Sequence, residues 1–303
     1  MQMRHQAAHL LESGALQIEV MDPADPERYN RGVRFSPVAN VLRATLDGHD
    51  FLFSPAAHEP VTENCGLAME FDICTTGGSP PGFEETAMGE GFLKVGVGVL
   101  RKDVERYSFF KAYEVIEPAE TRATWARDRA EFEQFSKGVN GRAYSLKAGV
   151  LVKGNSVEIS CSLTNTGRKA FSTEQYAHNY FLFDNAVAGP GYVLKFPWDF
   201  EATGLQPQQR AHGREIEFFE AFPPEVKAVN AVIKPAGDRN EVTTINPANG
   251  LAVRAWTSLP VSRIALHATP AYLCPEMFVR IDLEPGETKE WTRGYEFEIG
   301  APR

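Results

Sequence analysis

Apolar and polar side chains alternate along much of this chain with a period of two. Val157, Ile159, Cys161 and Leu163 interleave with Glu158, Ser160, Ser162 and Thr164. That pattern predicts a strand with one face on a core and the other in water. Asn165-Thr166-Gly167-Arg168-Lys169 supplies turn residues, and a second run extends from Phe171 to Phe183. Near the C-terminus Met277, Val279, Ile281 and Leu283 alternate with Phe278, Arg280, Asp282 and Glu284, and Pro285-Gly286 closes the run. Trp291, Arg293, Tyr295, Phe297 and Ile299 form the next strand, backed by Glu290, Glu296 and Glu298. Further strand-like runs lie at 15–20, 38–46, 92–100, 107–116, 143–152, 191–197 and 251–257. Helical periodicity is scarce, and Arg127 to Lys137 is its best candidate.

Many short strands punctuated by Gly and Pro predict an all-β protein, a large antiparallel β-sandwich. The 20 prolines and 25 glycines are spread over the whole length, with no linker, repeat or low-complexity segment. We therefore expect residues 1–303 to form a single β-sandwich domain, a size that all-β folds reach as one unit.

Composition narrows the function. With 31 Lys and Arg against 40 Asp and Glu, the formal net charge is -9, which argues against nucleic acid, whose phosphates select basic surfaces. Cys65, Cys74, Cys161 and Cys274 form no CxxC pair and have no interleaved His spacing, so neither a zinc site nor another metal site is expected. Cys161 reads as a small buried hydrophobe. The first twenty residues lack the apolar core of a signal peptide, and no window suits a membrane helix. The expectation is a cytoplasmic protein with reduced thiols and no membrane partner.

Chemistry-bearing residues gather in three places. On a strand, Glu174, Tyr176, His178 and Tyr180 share one face, since side chains alternate. An acid, two phenols and an imidazole suit a sugar, with its apolar C–H faces and rim of hydroxyls. Glu276 follows Pro275 just before a strong strand, where a bulge can aim a carboxylate into a cleft. In Gly89-Glu90-Gly91-Phe92-Leu93-Lys94-Val95-Gly96-Val97-Gly98 the glycines do not make a GxGxxG loop. They read as a glycine-kinked strand, with Phe92, Lys94, Gly96, Gly98 and Leu100 on one face. Glu63, Glu70, Asp72, Glu84 and Glu85 read as solvated acidic loops. No GxSxG, P-loop or HExxH is present, and no cofactor is expected.

Taken in order, these segments resemble the aldose 1-epimerase (galactose mutarotase-like) superfamily, nearest to its hexose-phosphate mutarotase-like members. "SLTNTGRKAFSTEQYAHNYFLFD" is similar to the family's turn followed by a His-x-Tyr-Phe strand. "LCPEMFVRIDLEPGETKEWTRGYEF" is similar to its C-terminal pair of strands. The resemblance implies a galactose mutarotase-like supersandwich, with His178 as general acid and Glu276 as general base. Arg34, in Gly32-Val33-Arg34, and Lys94 fall at substrate-contacting positions, and Glu174, Tyr176 and Tyr180 accompany them. Glu90 stands where the family carries a second histidine, and the Tyr-Asp-His signature of galactose mutarotases is absent. The implied partner is a small-molecule sugar or sugar phosphate, and the implied reaction is anomer exchange by acid and base without metal or nucleotide. A non-catalytic carbohydrate-binding or sensor module, or a polysaccharide lyase or glycoside-processing enzyme on the same sandwich, are the competing readings.

Overall fold

The computed structural model describes residues 5, 7–72, 77–236 and 240–300; Cys74 lies outside them. Two large antiparallel sheets dominate. The first runs, edge to edge, through Ala8–Ser13, Leu16–Met21, Val41–Leu46, Leu67–Phe71, Phe171–Asn179, Tyr272–Leu283, Arg263–Thr269, Val229–Ala236 and Asp199–Thr203. The second runs Gln209–His212, Glu215–Phe218, Val193–Lys195, Glu241–Asn246, Leu251–Thr257, Thr288–Ile299, Ser156–Asn165, Arg142–Lys153, Arg129–Val139 and Glu120–Trp125. The short strand His49–Asp50 pairs beside Val41–Leu46, and a small sheet of Gly91–Lys94, Gly98–Arg101 and Val115–Pro118 completes the described strands. No helix occurs among the described residues.

The alternation read from the sequence becomes the sandwich. Val157, Ile159, Cys161 and Leu163 face inward, and they meet Leu67, Met69 and Phe71 of the first sheet in one core. Cys161 Sγ lies 3.6 Å from Met69 Sδ across it. Cys65, Cys161 and Cys274 are free and buried.

Three expectations change. Arg127 to Lys137 is a strand from Arg129, not a helix. Ala130, Phe132, Gln134 and Ser136 are buried while Glu131, Glu133 and Phe135 are exposed, so the two phenylalanines lie on opposite faces and the true period is two. The glycine-rich 92–100 run is not one strand either. Gly96 (φ 86°) and Gly98 (φ 135°) take left-handed backbone, which turns the segment into the hairpin Gly91–Lys94 and Gly98–Arg101. Residues 107–114 form a loop, and a strand begins only at Val115.

The architecture opens a site where two neighbouring strands part. Phe171–Asn179 and Tyr272–Leu283 pair from Phe171/Leu283 to Gln175/Val279, then separate and meet again only at the Phe181/Leu273 bridge. Beyond that point Pro275, which has no N–H to donate, lies on the diverging strand. Side chains of the second sheet bridge the gap. Arg293, fully buried, donates from Nε to Gln175 Oε1 (2.8 Å) and from Nη2 to the carbonyls of Gln175 (3.0 Å) and Met277 (2.9 Å). Asn179 Nδ2 donates to the Pro275 carbonyl at 2.6 Å, and Tyr295 Oη donates to Asn179 Oδ1 at 2.9 Å. These bonds satisfy backbone carbonyls that the lost ladder would leave unpaired in the interior.

Candidate active site

On the far side of this divergence lies a cavity of about 880 Å³. Its lining includes Arg34, Phe35, Phe53, Tyr176, His178, Tyr180, Arg263, His267, Tyr272, Glu276 and Phe278. Strand register explains the convergence. Tyr176 faces Glu70 and His178 faces Ala68, so the small Ala68 leaves room for the imidazole to lean toward its diagonal neighbour, Glu70. Across the next ladder Glu276 faces Ala265, flanked by Arg263 opposite Phe278 and His267 opposite Cys274. Glu276 therefore stands beside a notch floored by alanine.

His178 is gripped at both nitrogens. Its Nε2 lies 2.8 Å from Glu70 Oε2, and its Nδ1 lies 2.6 Å from Glu276 Oε1. Burial alone disfavours the imidazolium. The Glu276 charge and the hydrogen bonds to Glu276 and Glu70 outweigh it and hold the His178 pKa above 6.5. Both ring nitrogens then act as donors. Burial would likewise neutralise Glu70. Arg34, the His178 hydrogen bond and Lys94 overcome that and bring its carboxyl to about 2. Arg34 Nε donates to Glu70 Oε2 at 2.9 Å, and its guanidinium lies over the rings of Phe35 and Phe109.

Glu276 Oε1 also accepts from Cys274 Sγ at 3.4 Å, while Oε2 takes no hydrogen bond from the described residues. His178, Cys274 and Glu276 form the one candidate metal-ligand group among the described residues, with ligand atoms within 4.8 Å of one another. Burial and the neighbouring carboxylate push the thiol pKa well up, so the three form a hydrogen-bonded cluster around a protonated thiol. Burial also raises Tyr176 and Tyr180 far above the usual phenol range, which keeps them as neutral hydroxyls.

The residues expected from sequence divide into two groups. His178, Glu276, Arg34, Tyr176 and Tyr180 line the cavity together. Glu174 does not; it is buried farther along the same face, with Arg263 Nη2 at 3.4 Å from its Oε2. Arg263 in turn lies 3.6 Å over the Phe278 ring, which stacks on Tyr176 at 3.9 Å. Lys94 is fully buried behind Glu70. Its Nζ donates to the Phe71 carbonyl (2.7 Å) and Asp72 Oδ2 (3.2 Å), 4.0 Å from Glu70 Oε1. A substrate contact for Lys94 is corrected to a charge that supports Glu70. Glu90 is exposed in the turn before Gly91 and does not line the cavity, because the glycine turns fold that segment into a separate hairpin.

Sequence reading missed several members. In the sequence Glu70 and Asp72 read as solvated loop acids, yet both are essentially inaccessible, at 0% and 1% exposure. The only signal was their i, i+2 spacing at the end of the apolar run Leu67-Ala68-Met69. His267 and Asn230 were also missed. His267 Nδ1 sits 2.8 Å from Asn230 Oδ1, and its Nε2 lies 3.5 Å from Tyr272 Oη. Burial lowers the His267 pKa below 6.5, so it is neutral at pH 7.

No family model matches this chain, and no curated protein matches it. Solved structures do. The Slr1438 protein of Synechocystis sp. PCC 6803 superposes with a TM-score of 0.61 at 14% identity, covering 98% of this chain and 97% of the other. A galactose mutarotase related enzyme from Lactobacillus acidophilus gives 0.60 at 10% identity, with 97% and 98% covered. An aldose epimerase homologue from C. elegans gives 0.54 at 12%, with 97% and 99% covered. The protein has the all-β, galactose mutarotase-like sandwich fold over nearly its whole length. At these identities the likeness establishes the fold alone, and function must be argued from the site.

Proposed function

We propose that the cavity binds an aldose and interconverts its anomers by general acid–base catalysis, the chain working as one domain. The observation that carries this reading is Glu276. One of its oxygens lies 2.6 Å from His178 Nδ1, while the other takes no hydrogen bond from the described residues, on an aromatic cavity floor beside the alanine notch.

Anomer exchange needs the anomeric hydroxyl to lose a proton while the ring oxygen gains one. Glu276 Oε2 takes the anomeric proton as the C1–O5 bond breaks and C1=O1 forms. His178 gives its Nδ1 proton to the ring oxygen, and Glu70 holds the resulting neutral imidazole through Nε2. Rotation about C1–C2 and reversal of both transfers give the other anomer. Protons balance, and no oxidant is needed. The step requires ligand entry to exchange the Nδ1–Oε1 hydrogen bond for one to the ring oxygen. Catalytic hydrogen bonds commonly take their working geometry only in the substrate complex. Tyr176, Tyr180 and Phe278 offer rings for the apolar face of the sugar, and Arg263 and His267 flank the notch.

The test is saturation-transfer NMR on the anomers of D-glucose and D-galactose, with Glu276→Gln and His178→Asn measured separately. Each loss is expected to cost about 10²–10⁴-fold in exchange rate. Wild-type rates in both variants would overturn the reading. A second reading, a carbohydrate-binding module, draws support from the saturation of His178 by two carboxylates. Sugar binding in calorimetry without any rate enhancement by the wild type would favour it.

A further inference from the structure

The geometry points to a zinc site in the cavity wall: a Zn²⁺ ion held by His178 Nδ1, Cys274 Sγ and the Glu276 carboxylate, with its fourth position open to the cavity. The site stands apart from the anomer-exchange reading, and only its effect on that reaction depends on it.

The donor set is that of an accessible zinc centre. One imidazole nitrogen, one sulfur and one carboxylate oxygen lie within 4.8 Å of one another. Three protein ligands with a free fourth position suit zinc, and a thiolate beside an imidazole selects it over magnesium and calcium, which take oxygen ligands in larger number. His178 and Glu276 both line the cavity, so the fourth position faces it. With bonds of about 2.0 Å to nitrogen and oxygen and about 2.3 Å to sulfur, tetrahedral ligand atoms stand about 3.3–3.5 Å apart. Cys274 Sγ and Glu276 Oε1 are already 3.4 Å apart. The 2.6 Å contact of His178 Nδ1 with Oε1 must open by about 0.7 Å. Glu276 has room for that move, because its side chain borders the cavity and its Oε2 takes no hydrogen bond from the described residues.

Glu70 is the independent sign. A metal-bound histidine almost always gives its other ring N–H to a carboxylate, a backbone carbonyl or water, which fixes the ring and strengthens it as a ligand. His178 Nε2 lies 2.8 Å from Glu70 Oε2, and Glu70 is completely buried. Arg34 and Lys94 hold that carboxylate in its charged form. Phe35, Ala68 and Tyr180 pack with Cys274 and give the cluster an apolar surround, which keeps bulk water from the sulfur.

Charge balances in the exchange. Without the ion, Cys274 keeps its thiol proton and His178 its Nδ1 proton, and both hydrogen bonds run to Glu276 Oε1. Zinc displaces the two protons, so a double positive charge enters as two single ones leave. The net charge of the buried cluster is unchanged, which removes the main electrostatic cost of placing a divalent cation there. The same exchange takes the proton that His178 gives to the ring oxygen and ties up Glu276, so zinc inhibits anomer exchange.

The test titrates Co²⁺, as a spectroscopic probe for zinc, into the full chain after treatment with a chelator. The wild type is expected to show the strong visible absorption of four-coordinate cobalt and a near-ultraviolet thiolate-to-cobalt charge-transfer band. Both should saturate at one ion per chain and be abolished by Zn²⁺ but not by Mg²⁺. Cys274→Ser should remove the charge-transfer band, and Glu276→Gln should weaken binding about tenfold or more. Glu70→Gln, acting through His178, should weaken it about 10–100-fold with the band intact. A wild type without the band overturns the inference. So does a band and affinity unchanged in any variant that circular dichroism shows to be folded; Glu276→Gln, an isosteric change at the cavity wall, decides if the others do not fold. None of these readings uses a sugar. If zinc binds and the loaded protein still exchanges anomers at the metal-free rate, the acid–base assignment falls and the metal site stands.

Discussion

Replacing Glu70 by Gln tests the electrostatic logic of the site more directly than any loss of activity. Glu70 is fully buried, and its carboxyl is held at about 2 instead of 4.5. That depression corresponds to about 3 kcal/mol of preference for the charged form. Glutamine keeps the shape and removes the charge that Arg34, Lys94 and His178 share. Breaking a buried ion pair from one side typically costs about 3–5 kcal/mol, because the partner is left uncompensated. The two figures agree, so the variant should unfold about 3–5 kcal/mol more easily at pH 7 in urea titrations. The sign of the pH dependence follows from the depressed pKa. The contribution is fully present above 4.5 and is lost as pH falls through about 2. The gap between wild type and Glu70→Gln should therefore narrow steadily below pH 4.5. A gap under about 1 kcal/mol at pH 7, or one unchanged down to pH 2, would refute the reasoning.

The same substitution should lower the His178 pKa, since a hydrogen bond that favours the imidazolium is lost; ¹⁵N NMR of the ring reads this directly, and His178 should show both nitrogens protonated in the wild type at pH 7. His267 should titrate below 6.5 in the same spectra, in keeping with its burial. Arg293→Met should destabilise the chain by about 2–4 kcal/mol in urea, because it strips donors from the buried carbonyls of Gln175 and Met277. Gly294→Ala should do at least as much damage, for a Cβ there would stand 2.0 Å from Cε2 of Trp256, a rigid ring; a thermal midpoint within a degree of wild type would contradict this.

Period-two alternation is a local property, so the sequence by itself determined the all-β class and the strands Ser156–Asn165 and Thr288–Ile299 in close outline, whereas Tyr272–Leu283 begins five residues before the run read from Met277 and takes in Glu276. It also placed Tyr176, His178 and Tyr180 on one face. It misjudged Arg129–Val139 because aromatic residues three apart mimic a helical stripe, and in a strand such residues simply face opposite ways. The tertiary structure alone decided which charges are buried. Glu70 and Asp72 look like any acidic pair until pairing with Phe171–Asn179 and the approach of Arg34 and Lys94 enclose them. It also decided that His178 and Glu276, 98 positions apart in the chain (276 minus 178), touch directly. That contact depends on the point where one ladder ends, on Ala68 and Ala265 opposite the two side chains, and on Arg293 reaching across from the other sheet. Register and sheet packing are long-range properties, and alternation along a single strand does not encode them.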